Sequence, residues 1–332
     1  MNAQAVMIEA PARLHLGFVD LNGGMGRRFG SLGLTLEDIE TRILAKRSKD
    51  INASGVDADR ASKIASRLVE ALGLHEGVSI EVKSAIPPHA GLGSGTQMAL
   101  AVGIAVSHLF QLDLSVRRIA ELLDRGARSG IGIAAFEQGG FIVDGGRRPG
   151  GNLPAVISRL EFPPHWRVLL IFDDSGRGLN GNAEREAFKR LSSFPEHKAE
   201  RLCRVLTMQL LPGLAEQRLN EFGHAVMEIQ AEVGDYFAPA QGGRFASPVV
   251  AGVLAWLLKN NYSGIGQSSW GPTGFAVLEG ETEAFRLSKV LQKEFDGLPL
   301  RFQVVSGRNN GAVIREPNAL EIPDANARAS SA

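Results

Sequence analysis

The stretch that most constrains the fold of this chain is a run of small residues that leads directly into a long apolar segment. The small residues are Gly91, Gly93, Ser94, Gly95 and Thr96, and the residues that follow, 98–110, are almost uniformly apolar. Glycine accepts backbone conformations closed to other residues, so this pattern predicts a tight turn that opens a buried helix. The first N–H groups of a helix lack partners within it and attract anions, which makes the turn a candidate phosphate site.

Known phosphate-loop patterns narrow the chemistry of this glycine turn only in part. The turn lacks the lysine of the P-loop pattern G-x-x-x-x-G-K-[ST] and the third glycine of the dinucleotide pattern G-x-G-x-x-G. Ser94 and Thr96 could cap the helix, or their hydroxyls could bind phosphate oxygens and a metal-bound water. A plain glycine turn in front of a core helix is the alternative without a ligand.

Length and composition bound the class of protein. At 332 residues the chain is expected to form two domains, and 44% hydrophobic with 22% charged residues is ordinary for a soluble globular protein. Its 36 basic and 36 acidic residues cancel, which argues against nucleic acid or a membrane surface as a partner. Cys203 is the single cysteine, so an intramolecular disulfide is excluded, and its helical pattern predicts a core position. The N-terminus lacks the pattern of a signal peptide, and the cytoplasm is the expected location.

Cationic and hydrogen-bonding residues cluster in the N-terminal part of the chain. Residues 5–16 predict a first strand, and the glycine-rich stretch 21–37 predicts a long hairpin outside the core. Arg13, His15, Arg27 and Arg28 are candidate ligands for a phosphorylated or carboxylated substrate. The alternative is that the hairpin arginines are solvated surface charges and that the histidine is a strand residue with satisfied hydrogen bonds.

A second glycine-rich block, residues 126–146, carries a further set of polar residues. Arg128, Ser129 and Glu137 are the candidate catalytic residues of this block. Glu137 and Asp144 are the carboxylates best placed for a metal or an acid role, although an aspartate at a strand end often only terminates the strand. Residues 141–144, which lie between two pairs of glycines, are predicted to form a short, buried strand that ends at Asp144.

The loop 147–154 is the candidate domain boundary. It divides the chain into residues 1–154, residues 155–316 and a polar tail, 317–332. In the second part, helices are predicted over 183–191, 197–211, 214–233, 247–259 and 282–294, and strands over 166–172, 274–278 and 300–305. This alternation predicts an α+β sandwich of ferredoxin-like type.

One tryptophan lies in a Gly-Ser-Pro-rich stretch between a predicted helix and strand. Gln267, Ser268, Ser269 and Trp270 combine amide and hydroxyl donors with a flat aromatic side chain. Linkers have no use for a large aromatic residue, so this segment is a candidate wall for a sugar or aromatic ring. The alternative is that Trp270 covers an edge of the core.

Four blocks in this order resemble one family: ARLHLGFVDLNG with GRRFGSLGLTLE, PPHAGLGSGTQMALAVG, RSGIGIAAFEQGGFIVDGG and GQSSWGPTGFAV. The chain is similar to the β-ribofuranosylaminobenzene 5′-phosphate synthases, relatives of the GHMP kinases. The resemblance implies an N-terminal domain like the second domain of ribosomal protein S5 and a ferredoxin-like C-terminal domain. It also implies a reaction in which 5-phosphoribosyl 1-pyrophosphate and 4-aminobenzoate give a C-riboside phosphate, CO2 and pyrophosphate. Mg²⁺ is the expected cofactor, and the expected pathway is tetrahydromethanopterin biosynthesis.

The resemblance also assigns the blocks to roles and leaves alternatives open. It implies that the glycine turn holds pyrophosphate, that residues 267–270 close the site from the other domain, and that the chain forms a possible homodimer. An ATP-dependent GHMP small-molecule kinase is the alternative within the superfamily, and a non-catalytic sensor of a phosphorylated ligand is the alternative outside enzymes. Several GHMP kinases carry a catalytic Asp in a Ser-Gly-Ile-Asp segment, whereas Ser129-Gly130-Ile131 is followed here by Gly132.

Overall fold

A seven-stranded sheet forms most of the N-terminal half of the protein. The computed structural model describes residues 5–151, 153–175, 191–269, 271–318 and 321. The strands of this sheet are β1 (Ala5–Asp20), β2 (Phe29–Ser48), β3 (Asn52–Gly55), β4 (Gly77–Ser84), β5 (Phe141–Asp144), β6 (Val156–Leu160) and β11 (Val313–Arg315). The long strands β1 and β2 pair antiparallel, with β11 on one side and β4 and β3 on the other. β5 continues the sheet from the early part of β2, and β6 pairs with β5.

Four helices accompany this sheet in the described N-terminal half. They are α1 (Ala58–Ala71), α2 (Ser94–Phe110), α3 (Val116–Leu122) and α4 (Ile131–Glu137). The helix predicted after the glycine turn is therefore confirmed as α2, and its apolar residues are buried on nearly all sides, with β1, β2 and α1 among its neighbours. Within the described part of the chain, none of the helices combines the length and apolar character needed to cross a membrane.

A four-stranded antiparallel sheet forms the second half. Its strands are β7 (Trp166–Asp173), β8 (Ile265–Gln267), β9 (Gly274–Glu279) and β10 (Leu300–Ser306), in the order β10-β7-β9-β8. The accompanying helices are α5 (Glu196–Val205), α6 (Leu211–Ala215), α7 (Leu219–Gln241), α8 (Pro248–Lys259) and α9 (Glu281–Glu294), with a π-helical turn, Leu206–Leu210, between α5 and α6. In chain order the strands lie fourth, first, third, second, which confirms the predicted ferredoxin-like arrangement.

The two halves share one hydrophobic core. Leu14, Leu16 and Phe18 of β1 belong to the same buried cluster as Trp166 of β7 and Phe222 of α7. The first sheet also continues past residue 154, where the sequence predicted a boundary, because β6 pairs with β5 and β11 returns to β1. The halves are therefore joined by buried apolar surface and by chain crossings, not by a linker alone.

Two predictions from the sequence are wrong. The stretch 21–37 is a hairpin outside the core only as far as Arg28, because β2 begins at Phe29 and its Leu32 and Leu34 are buried. Gly33 lies inside the strand because a Cβ there would approach Cγ2 of Ile131 to 2.3 Å, so the glycine allows α4 to pack closely. Cys203 is exposed and not part of the core. The helix predicted over 183–191 and most of the tail lie outside the described residues.

Candidate active site

The glycine turn takes a backbone shape that glycine makes possible. Gly91 and Gly93 have φ values of +79° and +89°, in the left-handed region, and Gly93 is the N-cap of α2. No side chain caps this helix end. The N–H groups of the first turn of α2, which begins with Ser94 and Gly95, therefore face outward as donors for an anion.

The predicted closing segment lies directly against the glycine turn. Ser268 is fully buried, and its Oγ donates a hydrogen bond of 2.6 Å to the carbonyl oxygen of Gly91. A Cβ on Gly91 would lie 2.8 Å from Cα of Gly271, and a Cβ on Gly271 would lie 2.4 Å from Cα of Gly91. The two backbones thus touch where both residues are glycine, and Trp270, between Ser269 and Gly271, lies outside the described residues.

Arg13 and His15 of β1 connect the same two segments. Nη1 of Arg13 donates a 2.5 Å hydrogen bond to the Gly91 carbonyl oxygen, and its backbone N–H donates to the carbonyl oxygen of Leu92 at 3.1 Å. The backbone N–H of His15 donates to Oγ of Ser268 at 3.1 Å, and Nδ1 of His15 lies 2.9 Å from Oγ of Ser269. One strand of the first sheet therefore holds the turn and the closing segment together.

The surroundings of His15 favour the uncharged imidazole. Its ring is buried against Phe18, with ring centroids 4.6 Å apart. Burial, followed by the positive charges of Arg13 and Arg128, holds the pKa of His15 well below its usual value of about 6.5. The influence of Arg128 also shows that the turn before α4 brings its positive charge close to β1.

A glutamine that the sequence analysis missed aligns the strands of the two sheets. The Gln230 side chain on α7 donates from Nε2 to the carbonyl oxygen of Leu16 at 2.6 Å. Its Oε1 accepts from the backbone N–H of Gln267 at 2.8 Å. Gln230 therefore sets the position of β8 relative to β1, and with it the position of Ser268 beside His15.

The second glycine block is organised around a buried carboxylate. Asp144 accepts hydrogen bonds from the backbone N–H groups of Gly130 at 2.8 Å, Gly146 at 2.9 Å and Ser31 at 3.1 Å. Burial raises the pKa of Asp144, and these backbone donors oppose the rise. Oγ of Ser129 accepts from the N–H of Ile131 at 3.2 Å, at the start of α4. Asp144 and Ser129 thus hold the turn that presents Arg128.

The structure places several other candidate residues away from the glycine turn. Glu137 lies at the far end of α4, where its carboxylate is 3.9 Å from Nε of Arg117 and where burial raises its pKa. Arg27 and Arg28 are exposed in the hairpin and donate to the carbonyl oxygens of Gly146 and Leu21. Oε1 of Gln267 accepts from the N–H of Ala246 at 2.6 Å, so this amide is part of the scaffold.

A divalent cation would find few protein ligands here. Among the described residues, no group of three or more His, Cys, Asp or Glu side chains is placed to hold a metal ion. Near the turn, the hydroxyls of Ser94 and Thr96 could serve as oxygen ligands, and the buried carboxylate of Asp144 is engaged by backbone N–H groups. This donor set fits a Mg²⁺ ion that arrives coordinated by a diphosphate, because Mg²⁺ in such sites keeps several waters and phosphate oxygens.

The fold and the glycine turn define a member of the GHMP kinase superfamily. The family models for the GHMP kinases N terminal domain and the GHMP kinases C terminal match residues 59–140 and 210–297. A mevalonate-3-kinase from Thermoplasma acidophilum has the same fold, with a TM-score of 0.68 and 14% identity over 95% of this chain and 100% of that one.

Two curated archaeal proteins define the family more narrowly. The β-ribofuranosylphenol 5′-phosphate synthase of Archaeoglobus fulgidus is 35% identical over 92% of this chain and 98% of the relative. The protein of the same name from Methanocaldococcus jannaschii is 34% identical over 82% and 89%. The chain belongs to the β-ribofuranosylphenol 5′-phosphate synthase family and is an enzyme of the pentosyltransferase type.

Proposed function

We propose that this enzyme joins the ribosyl group of 5-phosphoribosyl 1-pyrophosphate to the ring carbon of a 4-substituted benzoate, with release of CO2 and pyrophosphate. The product is a β-ribofuranosyl arene 5′-phosphate, and its use lies in tetrahydromethanopterin biosynthesis. The observation that carries the proposal is a glycine turn at a helix N-terminus with arginines in contact with it, while the buried Asp144 is engaged by backbone N–H groups.

The electron balance of this reaction explains why such a site suffices. The ring carbon that bears the carboxylate attacks the anomeric carbon, and the bond from that carbon to pyrophosphate breaks. The carboxylate then leaves as CO2, and the electrons of its bond restore the aromatic ring. No proton has to be removed, so the site needs cations and N–H donors for the leaving group but no general base.

The residues of this chain would divide the work as follows. The turn from Gly91 to Thr96 would bind the pyrophosphate through backbone N–H groups and the positive end of α2. Arg13 and Ser268 would hold that turn in shape through the Gly91 carbonyl oxygen. Arg128 would bind either the 5′-phosphate or the benzoate carboxylate, and Mg²⁺ would enter with the pyrophosphate and offset its charge.

Position 132 disfavours the kinase alternative. A Cβ on Gly132 would lie 3.1 Å from Cγ2 of Thr96, and Nε2 of the buried Gln97 donates to the Gly132 carbonyl oxygen at 2.7 Å. The place where several GHMP kinases carry a catalytic aspartate is thus taken up by close packing. A kinase on this scaffold would lack the group that accepts the proton of the attacking hydroxyl.

The decisive experiment measures both leaving groups. Purified protein is incubated with 5-phosphoribosyl 1-pyrophosphate, Mg²⁺ and carboxyl-labelled 4-aminobenzoate or 4-hydroxybenzoate, and we expect CO2 and pyrophosphate in equal amounts. The names of the relatives specify a phenol product. The rates of CO2 release with 4-aminobenzoate and with 4-hydroxybenzoate are therefore compared, and their ratio identifies the aromatic acid that this enzyme uses. Unsubstituted benzoate is the control, because it lacks the electron-donating group. Formation of ADP from ATP and a small alcohol, without CO2 release, would replace this proposal with the kinase.

A further inference from the structure

Two arginines that the sequence analysis did not single out lie at the first turn of α2, and a third lies near one of them. Nη1 of Arg60, on α1, lies 3.5 Å from Oγ of Ser94. Nη1 of Arg125, in the turn after α3, lies 3.7 Å from the position that a Cβ of Gly95 would occupy. Arg67, two turns further along α1, forms an ion pair with Asp124, the residue before Arg125. Separate elements therefore bring positive charge to one short stretch of backbone.

Charge pairing distinguishes Arg125 from the other two. Arg60 forms an ion pair of 3.2 Å with Asp57, and Arg67 forms an ion pair with Asp124. Arg125 makes no ion pair among the described residues, and its buried Nε has no hydrogen-bond partner there. Burial and the charges of Arg67 and Arg60 lower the pKa of Arg125, so its positive charge is held at an electrostatic cost in the free protein.

We propose that Arg125 binds the leaving diphosphate, at a different point of the turn from Arg13. This assignment rests on the proposed function and names a further residue for that reaction. Arg13 contacts the turn at Gly91 and Gly93, whereas Arg125 lies near Gly95, so the two guanidinium groups reach different residues at the N-terminus of α2. A multivalent anion there neutralises Arg125 and relieves its repulsion from Arg60 and Arg67, which a single carboxylate would do less well.

The test compares Arg125→Gln and Arg125→Lys with the matched control Arg118→Gln. Arg118 is an exposed arginine on the preceding helix and pairs with Glu121, away from the turn. In Arg125→Gln, we expect inhibition by pyrophosphate to weaken about tenfold to a hundredfold, as for the loss of a charge-assisted hydrogen bond. Inhibition by ribose 5-phosphate should stay within about twofold, since that probe lacks the leaving group. Arg125→Lys should retain part of the pyrophosphate affinity, and the control should match the wild type.

A thermal readout separates binding from a structural role. The melting temperature of free Arg125→Gln should equal or exceed that of the wild type, because an unpaired charge is removed, while its rise on adding pyrophosphate should be smaller. Unchanged pyrophosphate inhibition would overturn the proposal. A lower melting temperature of Arg125→Gln combined with normal pyrophosphate inhibition would also overturn it. If inhibition by ribose 5-phosphate weakens as much as inhibition by pyrophosphate, Arg125 contacts the 5′-phosphate and not the diphosphate.

Failure of the proposed function gives a different result. If the wild type releases no CO2 and no pyrophosphate from its substrates, calorimetric binding of pyrophosphate to the wild type and to Arg125→Gln still decides the role of Arg125. If the wild type turns over its substrates and Arg125→Gln binds pyrophosphate normally, the assignment of Arg125 is wrong while the proposed function stands. Wild-type protein that does not bind pyrophosphate would remove the assignment as well.

Discussion

The glycine turn at 91–95 and the hairpin turn at 21–28 are both rich in glycine, and both have arginines close by, yet they are built differently. Gly91 packs against the backbone of Gly271 and is fixed by Arg13 and Ser268, whereas a Cβ on Gly26 would meet nothing within 4 Å. The hairpin arginines are exposed, while Arg13 is partly buried. Glycine content alone therefore does not identify a site, and what distinguishes one is that other elements pack onto it.

The sharpest test of this comparison replaces one glycine in each region. Gly91 and Gly26 have nearly equal φ values, +79° and +77°. Gly26→Ala should cost about 1 kcal/mol of unfolding free energy from the backbone conformation alone. Gly91→Ala should cost roughly 3 kcal/mol or more and abolish turnover, because backbone atoms on both sides must also move. Urea unfolding and CO2 release measure the two effects, and equal losses in both variants would erase the distinction.

The second test removes side chains near the glycine turn without disturbing its packing. Ser94→Ala and Arg128→Ala should each lower kcat by about a hundredfold or more, because donors to charged groups of the substrate are lost. Their melting temperatures should stay close to that of the wild type. Near-normal turnover in both variants would show that the substrate binds elsewhere.

The third test uses the titration of His15, which is neutral in the folded protein. Because its pKa is lowered on folding, the unfolded state binds the extra proton as the pH falls below about 6.5, and stability falls with it. Between pH 7.5 and 5.5 this contributes a loss of about 1 kcal/mol. His15→Gln should lack that part of the pH dependence, whatever its stability at pH 7.5. The measurement is urea unfolding at both pH values, and parallel curves for the two proteins would contradict the assignment.

The smallest effect is expected in the hairpin. Nδ2 of Asn22 donates to the carbonyl oxygen of Phe194 at 2.6 Å, and its Oδ1 accepts from the N–H of Gly24 at 2.8 Å. Asn22→Ala should cost about 1 kcal/mol of unfolding free energy or less, because one of the two bonds is exposed and the other only partly buried. Thermal unfolding measures this cost, and a loss as large as that of Gly91→Ala would show that the hairpin is as tightly built as the glycine turn.

Much of the fold could be predicted because its signals are local. The buried strand 141–144 and the helix after the glycine turn follow from apolar runs beside glycines, and the structure confirms both. The extent of the hairpin could not be predicted in this way. A glycine that makes room for a neighbouring helix, as Gly33 does for Ile131, looks in sequence like a glycine that makes a turn.

The arrangement of the candidate site could be predicted in part for the same reason. Glycine-rich blocks indicated the turn, the segment that closes it and the Arg128 turn, since backbone requirements leave a mark in the sequence. Gln230 and Arg125 left no such mark. Each is a polar residue in or beside an ordinary helix, and its role depends on strands and helices brought together only by the tertiary fold.

The common core of the two sheets bears on how substrates reach the site. Swinging the halves apart would expose the large apolar side chains that meet there, including Trp166 and Phe222, to water. Under the proposed function, entry of the sugar diphosphate and escape of CO2 would then proceed through small displacements at the rim of the site, formed by the glycine turn and residues 267–269. Turnover in this enzyme is accordingly expected to respond far more to substitutions at that rim than to substitutions that weaken the shared core of the two halves.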